Sequence, residues 1–308
     1  MKFIRNIILH LQSTLTRPLN LCRSAAFRTA LLLSVFAFNS CEKATDWTSV
    51  NVPGNMIVVD GTINDELKAQ VIRLTRPVAA PNDIPEPVHA AEVLVSSSDG
   101  IYKFIEDTTR PGYYISENPF AGEASKEYSL LIHADNNIIS AKAMMEPGAG
   151  FSMLKYSLSS KTGLYRIVAV AATYNANQSA MYEILLDWSM VQGYRNAPPE
   201  STTARLLYYT LPTLDVNQVL APEMESILFP PGTHITEKRY SLSDQHAAYM
   251  RSVLSITEWQ GGLFNTVPAN VKGNLSNNGA GFFAACAVTT KSQIAGSWSV
   301  IESPISGK

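Results

Sequence analysis

From Met56 onward the chain alternates apolar and polar residues in short runs cut by turn residues, and a period of two is the spacing of a β-strand, not of a helix. Seven such runs are predicted before residue 147: 56–63, 70–75, 92–96, 101–105, 112–116, 128–133 and 138–144. Seven strands in under a hundred residues argue for a sandwich. In the run 128–133, Tyr128, Leu130 and Ile132 share one face while Ser129 and His133 take the other. The stretch 77–87 carries Pro77, Pro81, Pro85 and Pro87, which cannot donate to a sheet ladder, so it reads as a surface loop. That loop is either a crossover between sheets or a binding loop.

A seam follows at Glu146-Pro147-Gly148-Ala149-Gly150, and longer strands resume at 151–158, 164–174, 181–191 and 204–211. Tyr182, Ile184, Leu186, Trp188 and Met190 fall on one face, predicted to be core, and Glu183 and Asp187 on the other, predicted to be solvent. One helix is predicted at 243–255. Ser241 or Ser243 can cap it, Asp244 suits its first turn, and Ala247, Met250, Val253 and Leu254 give it a packing stripe. The expected architecture is all-β, with a sandwich over 55–147 and a second β-rich, sandwich-like domain with one short helix over 148–308. No repeat of fixed period occurs, which argues against solenoids and propellers.

The amino terminus has a different grammar. Residues 29–40 are mostly apolar, follow a basic stretch, and end at Ser40-Cys41-Glu42-Lys43. This is the layout of a signal peptide, and Arg28 blocks extension to the roughly 20 apolar residues a membrane span needs. The expectation is a lipoprotein signal peptide at 1–40, cleavage before Cys41, lipidation of Cys41, and a lipid-anchored tether over 41–54. An amphipathic transit peptide over residues 3–28 is the alternative reading, because Phe3, Ile4, Ile7, Ile8, Leu11 and Leu15 interleave with Arg and no acids. The true start codon stays open.

Charge then bears on partners. Five of the 24 basic residues and none of the 26 acidic ones lie in the first forty, so the rest of the chain carries a net charge of about −7. With no basic stripe, nucleic acid is not an expected partner. Of Cys22, Cys41 and Cys286, the last sits in the apolar run Phe282-Phe283-Ala284-Ala285-Cys286 and reads as a buried thiol; a nucleophile is the sharper alternative.

His89, His133, His234 and His246 lack HxH or HExxH spacing, so no metal site is expected, and no GxSxG or SxxK motif supports a hydrolase. Gly279-Ala280-Gly281-Phe282-Phe283-Ala284 fits a loose dinucleotide fingerprint, but strand-like residues follow it where a helix is required, so no cofactor is expected. No catalytic residue is assigned and the chain is not expected to be an enzyme. Among aromatics, Trp259 beside Gly261-Gly262 and the pair Tyr208-Tyr209, one of which must face outward in a strand, are the candidate ligand or partner contacts.

Several segments in order resemble one family. They are Cys41-Glu42, Ile57-Val58-Val59-Asp60-Gly61, Pro87-Val88-His89-Ala90-Ala91-Glu92-Val93, Gly112-Tyr113-Tyr114, Phe120-Ala121-Gly122-Glu123 leading to Tyr128-Ser129-Leu130, and Val267-Pro268-Ala269-Asn270-Val271-Lys272-Gly273-Asn274 leading to Gly281-Phe282-Phe283. The chain resembles the Bacteroidota outer-membrane-associated lipoprotein family known as domain of unknown function 4249. The resemblance implies an immunoglobulin-like first domain, an outer-membrane lipoprotein of the cell envelope, and a role beside TonB-dependent receptors in ligand capture or uptake. It carries over no catalytic residues. Phe38, and Gly279-Ala280-Gly281 in place of a simpler glycine turn, depart from the family pattern. The leading expectation is a binding or accessory protein; an adhesin or envelope scaffold and a glycan or peptide hydrolase are the other classes.

Overall fold

The computed structural model describes residues 55–78, 83–170, 179–211, 227–257 and 271–296. The expected all-β character holds, and the alternating runs form strands because each has one apolar side to bury. The first seven are β1 (Ile57–Asn64), β2 (Val71–Thr75), β3 (Glu92–Ser97), β4 (Gly100–Glu106), β5 (Tyr113–Ser116), β6 (Glu127–Ala134) and β7 (Asn137–Met144). Ile57, Val59 and Ile63 of β1, Ile72 and Leu74 of β2, Val93 and Val95 of β3, and Tyr128, Leu130 and Ile132 of β6 all point into one core. Asp135 and Asn136 adopt positive φ of 48° and 62° and make the two-residue turn joining β6 to β7, as a right-handed hairpin twist requires.

The eighth strand of this sheet comes from far along the chain. β14 (Gly279–Cys286) pairs in parallel with β1 over its whole length, from Ile57 opposite Gly279 to Asn64 opposite Cys286, giving the order β14-β1-β2-β5-β4-β3-β6-β7. Its other flank meets the far edge of the sheet. Ser276 donates its N–H to the Ser140 carbonyl, Ser140 returns its N–H to the Ser276 hydroxyl (2.8 Å each), and a parallel bridge joins Glu146 to Cys286. The two edges therefore meet, and the layer wraps its core like a barrel.

The remaining strands form two further sheets. β11 (Thr203–Thr210), β10 (Ala180–Asp187), β13 (His234–Ser241) and β15 (Val288–Ile294) make a four-stranded antiparallel sheet in that order. A three-stranded sheet of β12 (Leu228–Phe229), β9 (Tyr165–Ala169) and β8 (Lys155–Leu158) packs on it around Ile184, Leu186, Trp188, Leu206, Phe229 and Ile235. These sheets draw on strands after residue 147, while the first sheet combines the seven earlier strands with β14, and the chain from Asn51 onward clusters as one compact unit.

The helix α1 (Asp244–Thr257) lies where predicted. The Ser243 hydroxyl accepts the His246 N–H (3.3 Å), and Ala247 and Leu254 are buried. His246 and Tyr249 stack on Phe282 of β14, in a cluster that also takes Tyr209 and Tyr240 from the opposite face of the four-stranded sheet. The four-stranded sheet is thus covered on both sides, which corrects one expectation. Glu183, predicted to face solvent, is only 9% exposed and is held by the Arg205 guanidinium and the Tyr240 hydroxyl. Met190, predicted to be core, is 75% exposed because β10 ends at Asp187, whose carboxylate caps the turn by accepting the Ser189 N–H.

Candidate functional site

Of the residues predicted to act, Cys41 and Trp259 lie outside the described residues, as do the whole of the expected signal peptide at 1–40 and of the expected tether at 41–54. Tyr208 and Tyr209 sit on β11 and point to opposite faces. Tyr208 is half-buried against the core between the three- and four-stranded sheets, and Tyr209 against the core around α1. A strand's two-residue period separates them, so they do not form one contact surface.

Cys286 has a partner that sequence spacing could not reveal. Its Sγ lies 3.5 Å from Nδ1 of His246, a thiol–imidazole pair of the kind nucleophilic catalysis uses. The electrostatics run against that use. Burial, helped by the Asp65 charge, pushes the Cys286 thiol up to about 12, and burial pulls the His246 imidazole down to about 4. Both groups are neutral at pH 7, whereas an activated cysteine needs a thiolate beside an imidazolium. Cys286 is a core residue of β14, and the stacking of His246 on Phe282 makes the imidazole a packing element.

A second buried titratable group lies on β13. Glu237 is 1% exposed, and both its carboxylate oxygens take the Leu154 N–H (2.8 and 3.0 Å). Burial dominates over that bond and the nearby Lys291, so its carboxyl titrates near 7. Lys291, directly opposite on β15, donates to the Phe151 carbonyl and lies over the Phe151 ring. This cross-strand Glu–Lys pair diverges to hold both ends of segment 151–154, the chain's passage from the first sheet into β8. The signal for it was available as a Glu and a Lys within strand-like runs, but not which face was closed.

Those segments of the family resemblance that fall among the described residues turn out to be fasteners. Tyr114 is fully buried; its hydroxyl donates to the Val88 carbonyl (2.8 Å) and accepts the Ala91 N–H (2.9 Å), pinning Pro87–Ala91 against β5. On the same corner, Glu106 accepts N–H bonds from Ala90 (2.9 Å) and Gly112 (3.1 Å) and pairs with His89 Nδ1 (2.7 Å). Burial pushes the Glu106 carboxyl up, but these donors outweigh it and hold the pKa below its ordinary value. Gly112 has φ of +77°, and a Cβ there would sit 2.7 Å from the Leu74 carbonyl, so only glycine fits. Tyr128 accepts the Glu123 N–H (2.7 Å). Asn274 forms a two-way pair with the backbone of Phe283, accepting its N–H (3.0 Å) and donating to its carbonyl (2.7 Å), and also reaches the Lys142 carbonyl (3.0 Å). At Gly281, φ is +91° and an added Cβ would lie 2.2 Å from the Val59 carbonyl, which is what lets β14 lie close against β1.

Among the described residues, no group of three or more His, Cys, Asp or Glu comes together as metal ligands, and no helix is long and apolar enough to cross a membrane. The fold and these fastenings define a class: an all-β protein whose first sheet is completed by a strand from near its carboxyl end. The model of a family described as domain of unknown function (DUF4249) matches residues 45–292, and the chain belongs to that family. Among curated proteins, none matches the chain.

Proposed function

We propose that this chain is a lipid-anchored, non-catalytic binding or accessory protein of the bacterial outer membrane, attached through an acylated Cys41 and acting with a TonB-dependent receptor in ligand capture or uptake. The observation that carries this reading is Ser40-Cys41 placed directly after a run of about a dozen mostly apolar residues, ahead of a polar tether and a β-rich body. The burial of Cys286 and His246, which holds both neutral, removes that one thiol–imidazole contact as a candidate nucleophile. An acyl anchor fixes attachment and leaves the folded part free to engage a partner.

The test is affinity capture of the tagged full chain from gently solubilised membranes of its native host, with partners identified by mass spectrometry. A stoichiometric TonB-dependent receptor is the expected result. Recovery of the chain alone overturns the accessory role. Mass spectrometry of the chain purified from its host is expected to find Cys41 acylated at the amino terminus, and an unmodified Cys41 overturns the anchor.

A further inference from the structure

On the outer face of the first sheet, Tyr113 opens β5 with two guanidinium groups set about its ring. Arg73 on β2, its cross-strand neighbour, has Cζ 5.3 Å from the ring centre, and Arg110 in the β4–β5 loop has Cζ 5.1 Å from it. The two guanidinium carbons are therefore no more than about 10 Å apart. Arg110 is held in place. Its Nε donates to Asp107 (2.7 Å), whose other oxygen caps Thr109, and the loop is closed by Asp107 N–H to the Tyr113 carbonyl (2.7 Å) and Tyr113 N–H to the Arg110 carbonyl (3.1 Å). Arg73 stands on a central strand, and among the described residues no acceptor takes a hydrogen bond from its side chain. Asp60, directly across on β1, is exposed and forms no ion pair with it.

We propose that Arg73 and Arg110, positioned by Tyr113, form a binding site for a small dicarboxylate. Each guanidinium offers a planar fork that matches a carboxylate; Arg110 is anchored through Nε to Asp107 and keeps its Nη groups to donate, while among the described residues Arg73 is steadied by the Tyr113 ring alone. Two cationic groups within that upper bound can be spanned by two carboxylates joined by a short chain. Asp60 beside the site and a net charge of about −7 on residues 41–308 disfavour a long polyanion, which would meet repulsion beyond the two arginines. This site deepens the proposed binding role by naming a ligand class.

Calorimetric titration of the full chain in mild detergent with succinate and glutarate, beside succinamide and inorganic phosphate, tests the site. Saturable binding of a dicarboxylate and none of succinamide is expected. Arg73→Ala and Arg110→Ala should each weaken it about tenfold or more, Arg73→Lys should weaken it by losing the fork, and Asp60→Asn should tighten it. No saturable dicarboxylate binding, tighter binding of phosphate, or arginine variants that bind like the parent overturns the site. Receptor capture is read separately: a receptor complex without dicarboxylate binding removes this site alone, and dicarboxylate binding without a receptor removes the accessory role alone.

Discussion

Glu237 is the residue where folding and ionisation conflict most directly. Its folded pKa is about 7 against an ordinary 4.5, so the folded state holds this proton more tightly than the unfolded chain. The stability it contributes is fully present below about pH 4.5 and is lost as pH rises through 7. Urea melts should therefore show a lower midpoint at pH 8 than at pH 5, and Glu237→Gln, which keeps an acceptor for the Leu154 N–H, should flatten that difference by about 1 to 3 kcal/mol. An unchanged pH profile in the variant would remove Glu237 as the cause. At Cys286 the expectation is kinetic: a thiol reagent at pH 8 should modify the peptide containing it only after denaturation, as mapped by mass spectrometry. At this scale the sequence was partly legible. Cys286 in an apolar run announced a buried thiol, and Tyr128, Leu130 and Ile132 announced a core face. Glu183 misled, because a strand's polar face is solvated unless a second layer covers it, and the covering layer comes from elsewhere in the chain.

Among elements, hydrogen-bonded side chains do much of the positioning that long loops leave undone. Tyr114→Phe keeps the ring in the core but strips the bonds to Val88 and Ala91, and should cost about 1 to 3 kcal/mol in chemical denaturation. Gly281→Ala places a methyl against the Val59 carbonyl at positive φ, so a larger loss is expected, read as a fall in thermal midpoint with near-native secondary structure at low temperature. If Gly281→Ala melts like the parent, β14 does not lie against β1 as described. The first seven strands and the helix were legible, since alternation and a capping serine are local signals, whereas β12 and the central strand β13 were not read from the sequence. The partner of β14 was not, since parallel pairing leaves no turn between the strands to mark it. Nor did the resemblance say why its segments recur in order; Tyr114, Tyr128, Asn274 and Gly281 give a reason in corner pinning and closure.

For the whole molecule, seven strands that look complete in sequence are one strand short in space. A fragment ending at residue 147 should lack a cooperative unfolding transition, and a peptide spanning 271–290 should restore one on mixing, both followed by circular dichroism. A cooperative transition in the fragment alone would make β14 an accessory strand instead of the closing one. The same pairing sets a clock on synthesis. About 140 residues separate β7 from the end of β14, and at ordinary rates of chain elongation they take on the order of ten seconds to appear. During that interval β1 has no parallel neighbour and the layer cannot shut. A nascent chain of this design therefore lacks the strand that completes its first layer until residues 279–286 have emerged.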